Sequence, residues 1–178
     1  MKEVDIYIDT DIKGPRRRPG HYLYIIATLT SAGPADTGSS GYLPDTTENQ
    51  ATLTGLETAL KRLREGTRLT IHLECPYVAS ALENGWYRTW REHGWMNARN
   101  RPVCDDTIWR SIESLLNAHV FEVRLKEPHT YREWMRRTLQ EKALQDQESK
   151  TQAERLDKVA PVQPADSHKA VGKETYGT

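Results

Sequence analysis

Residues 4–9 read Val-Asp-Ile-Tyr-Ile-Asp, alternating apolar and polar positions with the two-residue period of a half-buried strand. This predicts a first strand ending near Asp9. The Lys-Gly-Pro-Arg-Arg-Arg-Pro-Gly run at 13–20 is a turn-forming basic loop, and residues 21–30, rich in Tyr, Ile and Leu, predict a second strand. After the Gly33–Pro34 break a short third strand is expected across 39–43. Asp45-Thr-Thr-Glu-Asn49 reads as a helix start capped by Thr46 or Thr47, and Leu53, Leu56, Leu60 and Leu63 continue at helical spacing to about Gly66. A fourth strand is predicted over 68–73, and short helices over 76–82, 86–92 and from Asp106 or Thr107 to Asn117. Residues 120–125 alternate as a fifth strand, broken by Pro128–His129. A last helix runs from Tyr131 to about Arg155. From Pro161 onward Pro, Gly, Lys, Asp and Ser dominate without an apolar period, and a disordered tail is expected. The order β-β-β-α-β-α-α-α-β-α implies a mixed sheet, an antiparallel meander first and crossover-linked strands after it.

Composition narrows the function classes. The 178 residues carry 25 Lys and Arg against 25 Asp and Glu, so no global polycation drives nucleic-acid binding and any such binding needs a local patch. A mean hydropathy of −0.76 points to a polar, poorly packed segment. Cys75 and Cys104 stand far apart without a metal-type spacing, which indicates neither zinc nor a disulfide framework. No stretch is apolar enough for a signal peptide or a bilayer span. A soluble, cytoplasmic monomer with no membrane role is the expectation.

A local patch does exist. Trp86, Trp90, Trp95 and Trp109 fall within two dozen residues, interleaved with Arg88, Arg91, Arg99, Arg101 and Arg110. Trp86 and Trp90 are four apart and share a helix face, while Arg88 and Arg91 leave by other faces toward solvent or a polyanion. The plainer reading is an amphipathic helix packing aromatics into a core.

In order along the chain, several words resemble the type 1 ribonuclease H family from about residue 4 to 129. Ile6-Tyr-Ile-Asp9 resembles its opening strand with the first catalytic aspartate, and Asp45-Thr-Thr-Glu-Asn49 its Thr-Asn-Asn lead-in to the long first helix. Leu73-Glu-Cys-Pro-Tyr-Val78 is similar to Thr-Asp-Ser-x-Tyr-Val. Trp86, Trp90, Gly94 and Trp95 fall on the Trp-x3-Trp-x3-Gly-Trp of the basic protrusion, with Pro102, Val103 and Trp109 in register. His129 resembles the histidine of the loop before the last helix. The resemblance implies an α/β ribonuclease H-like fold. Its five-stranded mixed sheet has three antiparallel strands, then two crossover strands, with flanking helices. The expected domain is 1–140, followed by a charged helical extension and disordered tail at 141–178.

The resemblance also implies hydrolysis of the RNA strand of an RNA/DNA hybrid, with two divalent ions held by four carboxylates. Asp9 keeps the first position, and Glu74 stands where an aspartate belongs, one methylene longer. The first-helix glutamate falls on Thr52. The last-helix aspartate falls on Leu139, or on Arg136 if the loop is shorter. Glu48, one helical turn (about 6 Å) before Thr52, Asp11, two beyond Asp9, and Glu133 are the available substitutes. Their ordinary roles are a first-turn acid, a turn residue and a solvated charge. A relocated metal set would be Asp9, Asp11, Glu48 and Glu74, holding Mg²⁺ or Mn²⁺ only if the chain is active. His129 would then assist turnover by proton handling or product release, or is simply a loop residue.

For nucleic-acid contact the candidates are Arg16, Arg17 and Arg18 beside the expected scissile site, and Arg88, Arg91 and Arg99 with Trp86, Trp90 and Trp95 on the protrusion. Two functions follow. One is a hybrid-binding protein with impaired or absent nuclease activity; the other is a divergent endoribonuclease with a relocated carboxylate set. Residues 141–178 could add a protein partner through Ala143, Leu144, Ala153, Leu156 and Val159, or are a solvated tail.

Overall fold

A computed structural model describes residues 1–64 and 66–159. The first compact unit, Met1–Gln145, holds a five-stranded sheet in the order β3-β2-β1-β4-β5. Strand β1 (Lys2–Thr10) pairs antiparallel with β2 (Arg18–Thr30), which pairs antiparallel with β3 (Gly33–Thr46). Helix α1 (Glu48–Leu60) then crosses over to β4 (Thr67–Leu73), parallel to β1, and β5 (Val120–Leu125) lies parallel outside β4. Helices α2 (Pro76–Glu83), α3 (Trp86–Glu92) and α4 (Asp106–Leu116) fill the connection between β4 and β5. Helix α5 (Arg132–Asp157) follows β5. This is the mixed sheet that the chain pattern implied, and the ribonuclease H-like fold that the resemblance implied.

Strand alternation sorts side chains into two layers. Val4, Ile6 and Ile8 point to one face and pack with Leu53, Leu56 and Leu60 of α1 and with Trp109 and Ile112 of α4. Each such aliphatic side chain contributes about 1.5–3 kcal/mol by leaving water. On the opposite face, Leu23 and Ile25 meet Met135 and Leu139 from the first turns of α5, with Tyr7 and Tyr131 at the margin. The helix thus packs over β2, with Tyr7 of β1 at its edge. Thr47 caps α1, its side-chain oxygen accepting the Gln50 N–H at 3.2 Å, which resolves the two expected candidates.

Three boundaries differ from expectation. Strand β3 is fourteen residues long rather than the short stretch 39–43, because an edge strand needs apolar alternation on neither solvent-facing side to pair with β2. The basic loop is correspondingly shorter: Arg18 already pairs with Thr46, across a register shift before Gly20. A Cβ on Gly20 would lie 2.5 Å or less from Ile12 and Asp11, so the chain passes there only without a side chain. Finally α1 ends at Leu60, short of Gly66.

The second unit is Asp146–Thr178, and its described residues, 146–159, are helical through Asp157 with exposed side chains. The expected disordered tail from Pro161 lies outside the described residues.

Candidate active site and nucleic-acid surface

The register of two parallel neighbours builds the site. Ile8 pairs with Leu73, so Asp9, one residue on in β1, and Glu74, just past the end of β4, stand side by side at the strands' carboxyl ends. They line a cleft of about 310 Å³ together with Asp11, Lys13, Arg136 and Leu139. Asp9 thus stands at a strand end, where the alternation of β1 directs it to the α5 face.

Each carboxylate is already engaged. Lys13 Nζ donates to Asp9 Oδ1 at 3.0 Å, and the Thr10 N–H donates to the same oxygen at 2.8 Å. Arg132 Nη2 donates to Glu74 Oε2 at 3.1 Å. The side chains of Asp9 and Glu74 are only 14% and 16% exposed, so these are ion pairs with limited access to water. Strand β1 stops at Thr10. Asp11 therefore does not share a strand face with Asp9 but turns into the loop, accepting the His21 N–H at 2.7 Å and meeting His21 Nδ1 at 2.8 Å. Glu48 Oε2 accepts the Gly14 N–H at 2.6 Å and fastens the loop to the first turn of α1. Thr52 is buried under the same helix, Leu139 is buried beneath α5, and Glu133 is exposed beside Arg136.

Family members generally depend on divalent metal ions. Among the described residues, no group of three or more His, Cys, Asp or Glu side chains is placed to hold such an ion. Two carboxylates, each with its own cation, do not match a four-carboxylate, two-ion set. The donor set here does not fit that group.

Behind Asp9, rings stack along the α5 face of the sheet. His72 lies flat on Tyr7, its register partner on β1, at a centroid distance of 4.3 Å, and its Nε2 meets Asp5 Oδ1 at 2.8 Å. His129 packs on Tyr7 at 4.5 Å and stands 5.6 Å from His72. Burial lowers the His129 pKa below the ordinary histidine value, His72 and Arg132 add to this, and Asp9 opposes it. Tyr7 is pushed up to about 12, chiefly by burial and then by Asp5. Cys75 is buried with its Sγ 3.2 Å from Asn49 Oδ1, and burial raises its thiol, which fits an inert packed cysteine.

The basic residues divide into engaged and open. Arg17 donates to both carboxylate oxygens of Asp45 at 3.1 Å, and Arg18 to the Asp11 carbonyl at 3.1 Å. Arg91 is paired with the buried Glu113, and Arg88 lies over the Tyr87 ring at 5.5 Å. Arg16 and Arg99 are exposed in loops. Trp86 and Trp90 do share a side of α3, with ring centroids 6.4 Å apart. Trp86 is 38% exposed, whereas Trp90 is half-buried and packs edge-on against Trp109 at 5.4 Å. Trp95 is only 7% exposed and lies in the core beneath Arg110, at 5.1 Å from ring to guanidinium. Of the three protrusion rings, Trp86 is the one that faces solvent.

Lys13 and Arg132 are the residues that sequence reasoning passed over. Lys13 follows Asp9 by four positions, a local spacing that was readable; Arg132 reaches Glu74 across 58 positions, which no local pattern signals.

A β-meander followed by two parallel crossover strands, with acids at the adjoining ends of β1 and β4, defines a ribonuclease H-like domain. The chain belongs to the RNase H family, whose sequence model matches residues 1–154. Among its relatives, Ribonuclease H of Chlorobium phaeobacteroides is 27% identical over 137 residues, spanning 77% of this chain and 90% of that one. Ribonuclease H of Desulforamulus reducens is 32% identical over 123 residues, spanning 67% and 72%. In fold, the chain resembles LC9-RNase H1, described as a type 1 RNase H with the type 2 active-site motif. That likeness has a TM-score of 0.59 and 18% identity, over 72% of this chain and 64% of that one. It also resembles the foamy viral protease-reverse transcriptase solved with RNA/DNA hybrid, with a TM-score of 0.56 and 17% identity, over 72% and 18%.

Proposed function

We propose that this family member binds RNA/DNA hybrid while its cleavage of the RNA strand is impaired or absent. The observation that carries this reading is the pairing of Asp9 with Lys13 and of Glu74 with Arg132 in one cleft. A divalent ion would have to displace both cations and shed water for a site that offers two carboxylates. Thr52 and Leu139, at the positions where the family resemblance implies the other two, bring no charge, and Arg136 at the cleft wall brings the wrong one. The hybrid surface would use Arg16, Arg88 and Arg99 for phosphates, with Trp86 as the exposed ring, and the cytoplasm as its setting.

Cleavage of a labelled hybrid by the wild type and by Asp9→Asn, in Mg²⁺ and separately in Mn²⁺, tests the reading. Retained binding with no cleavage in either metal is the expected result. Cleavage that disappears in Asp9→Asn would overturn it in favour of a divergent endoribonuclease, with Asp9, Glu74 and Glu48 as its carboxylates and His129 assisting turnover.

A further inference from the structure

We propose that the cleft beside Asp9 and Glu74 is a phosphate-binding site that works without a divalent ion, in which Lys13, Arg132 and Arg136 receive one phosphodiester group of the hybrid backbone. This rests on the hybrid-binding reading above and says how the cleft takes part in it.

Donor capacity is the first argument. An ammonium group has three N–H donors and a guanidinium five. Asp9 takes one from Lys13, and Glu74 takes one from Arg132. Arg132 Nε is buried with no hydrogen-bond partner among the described residues. Such a withdrawn donor costs stability until an acceptor reaches it. Among the described residues Arg136 meets only Glu133, at 3.7 Å, beyond a good hydrogen bond. Anion-binding capacity is therefore left over after every internal pairing.

Placement is the second. Arg132 and Arg136 are one turn apart on α5 and so share a face of the helix. Lys13 approaches from the loop after β1; Lys13 and Arg136 line the cleft with exposed ends, and Arg132 borders it through its bond to Glu74. The carboxylates gain a role in this arrangement. Asp9 and Glu74 fix the cations in position before the phosphate arrives, which reduces the ordering cost of binding. Arginine in particular presents a rigid fork matched to phosphate oxygens.

The test uses the full chain and a short fluorescent RNA/DNA hybrid, titrated in EDTA and again in Mg²⁺ at matched ionic strength. Wild type is expected to bind equally in both. Lys13→Gln and Arg132→Gln should each weaken metal-free binding by roughly 3- to 10-fold and reduce the slope of log K against log salt by about one. Direct titration of the wild type with Mn²⁺ alone should show no saturable uptake below millimolar concentration. Binding that appears only with a divalent ion, saturable Mn²⁺ uptake, or variants indistinguishable from wild type would each overturn the proposal. If Arg132→Gln fails to fold, Lys13→Gln decides alone, because its side chain is exposed in a loop. Cleavage dependent on Asp9 would instead overturn the functional reading, and absence of hybrid binding in either buffer would overturn both.

Discussion

A guanidinium 3.1 Å from a carboxylate mostly withdrawn from water holds that carboxylate turned toward it, as Arg132 holds Glu74. Removing the cation alone leaves a half-buried charge without its partner. Arg132→Ala is expected to lower unfolding free energy by about 1–3 kcal/mol, and adding Glu74→Gln should recover part of that loss. Urea denaturation of the two single variants and the double variant measures the coupling; strictly additive losses would mean that the pair contributes nothing. His129 gives a second residue-scale expectation. Its folded pKa lies below the unfolded one, so the unfolded chain binds the extra proton first as pH falls. The contribution is present above the unfolded value of about 6.5 and is lost as pH drops through the folded value. Wild type should therefore lose more stability than His129→Gln between pH 7.5 and 5, and parallel curves would show that the histidine is equally comfortable in both states.

At the scale of elements, the cap of α1 joins local sequence to the site. Thr47 satisfies the Gln50 N–H, while Glu48 in the next position ties the first turn to Gly14. Thr47→Ala should cost about 1 kcal/mol, and Thr47→Ser almost nothing, read as shifts in urea midpoint at constant slope. That cap was readable because it depends on neighbours three residues apart. The order of strands was readable for a related reason, since two-residue alternation in residues 4–9 and 120–125 survives wherever one face is buried. The ends of strand β3 escaped because Gly33-Pro-Ala-Asp36 and Asp45–Thr46 carry no apolar alternation, their pairing being dictated by β2 rather than by their own residues. Trp95 shows the opposite limit. Its motif put it among the protrusion rings expected to meet nucleic acid, but spacing alone does not say that the backbone there is left-handed, at φ 62°, with the ring buried beneath Arg110. In the site itself, Asp9 was legible as the end of an alternating strand. The pairing of Glu74 with α5 was not, because that depends on how a helix 58 residues beyond Glu74 docks across the sheet.

The charge balance of the whole molecule sets how it can hold a polyanion. With 25 cationic and 25 anionic residues, no long-range field gathers the hybrid, and affinity must come from a few fixed contacts. Several cations near the expected surface are already committed: Arg17 to Asp45, Arg18 to the Asp11 carbonyl and Arg91 to Glu113. Those left to meet phosphate are Arg16, Arg88 and Arg99, joined by Lys13, Arg132 and Arg136, which together receive one phosphate. Four phosphates contacted correspond to a log K against log salt slope of roughly −4, at about 0.9 per phosphate neutralised. Fluorescence anisotropy across a salt series measures this slope directly. A slope steeper than about −6 would require the three committed arginines to act on the backbone as well, and hence the Asp45, Asp11 and Glu113 pairings to open on binding. Slopes near −3 would instead confine contact to Arg16, Arg88 and Arg99, leaving the Asp9 cleft outside the interface. Arg91→Ala separates these cases further, because a committed arginine should lower thermal stability through the stranded Glu113 while leaving the slope unchanged.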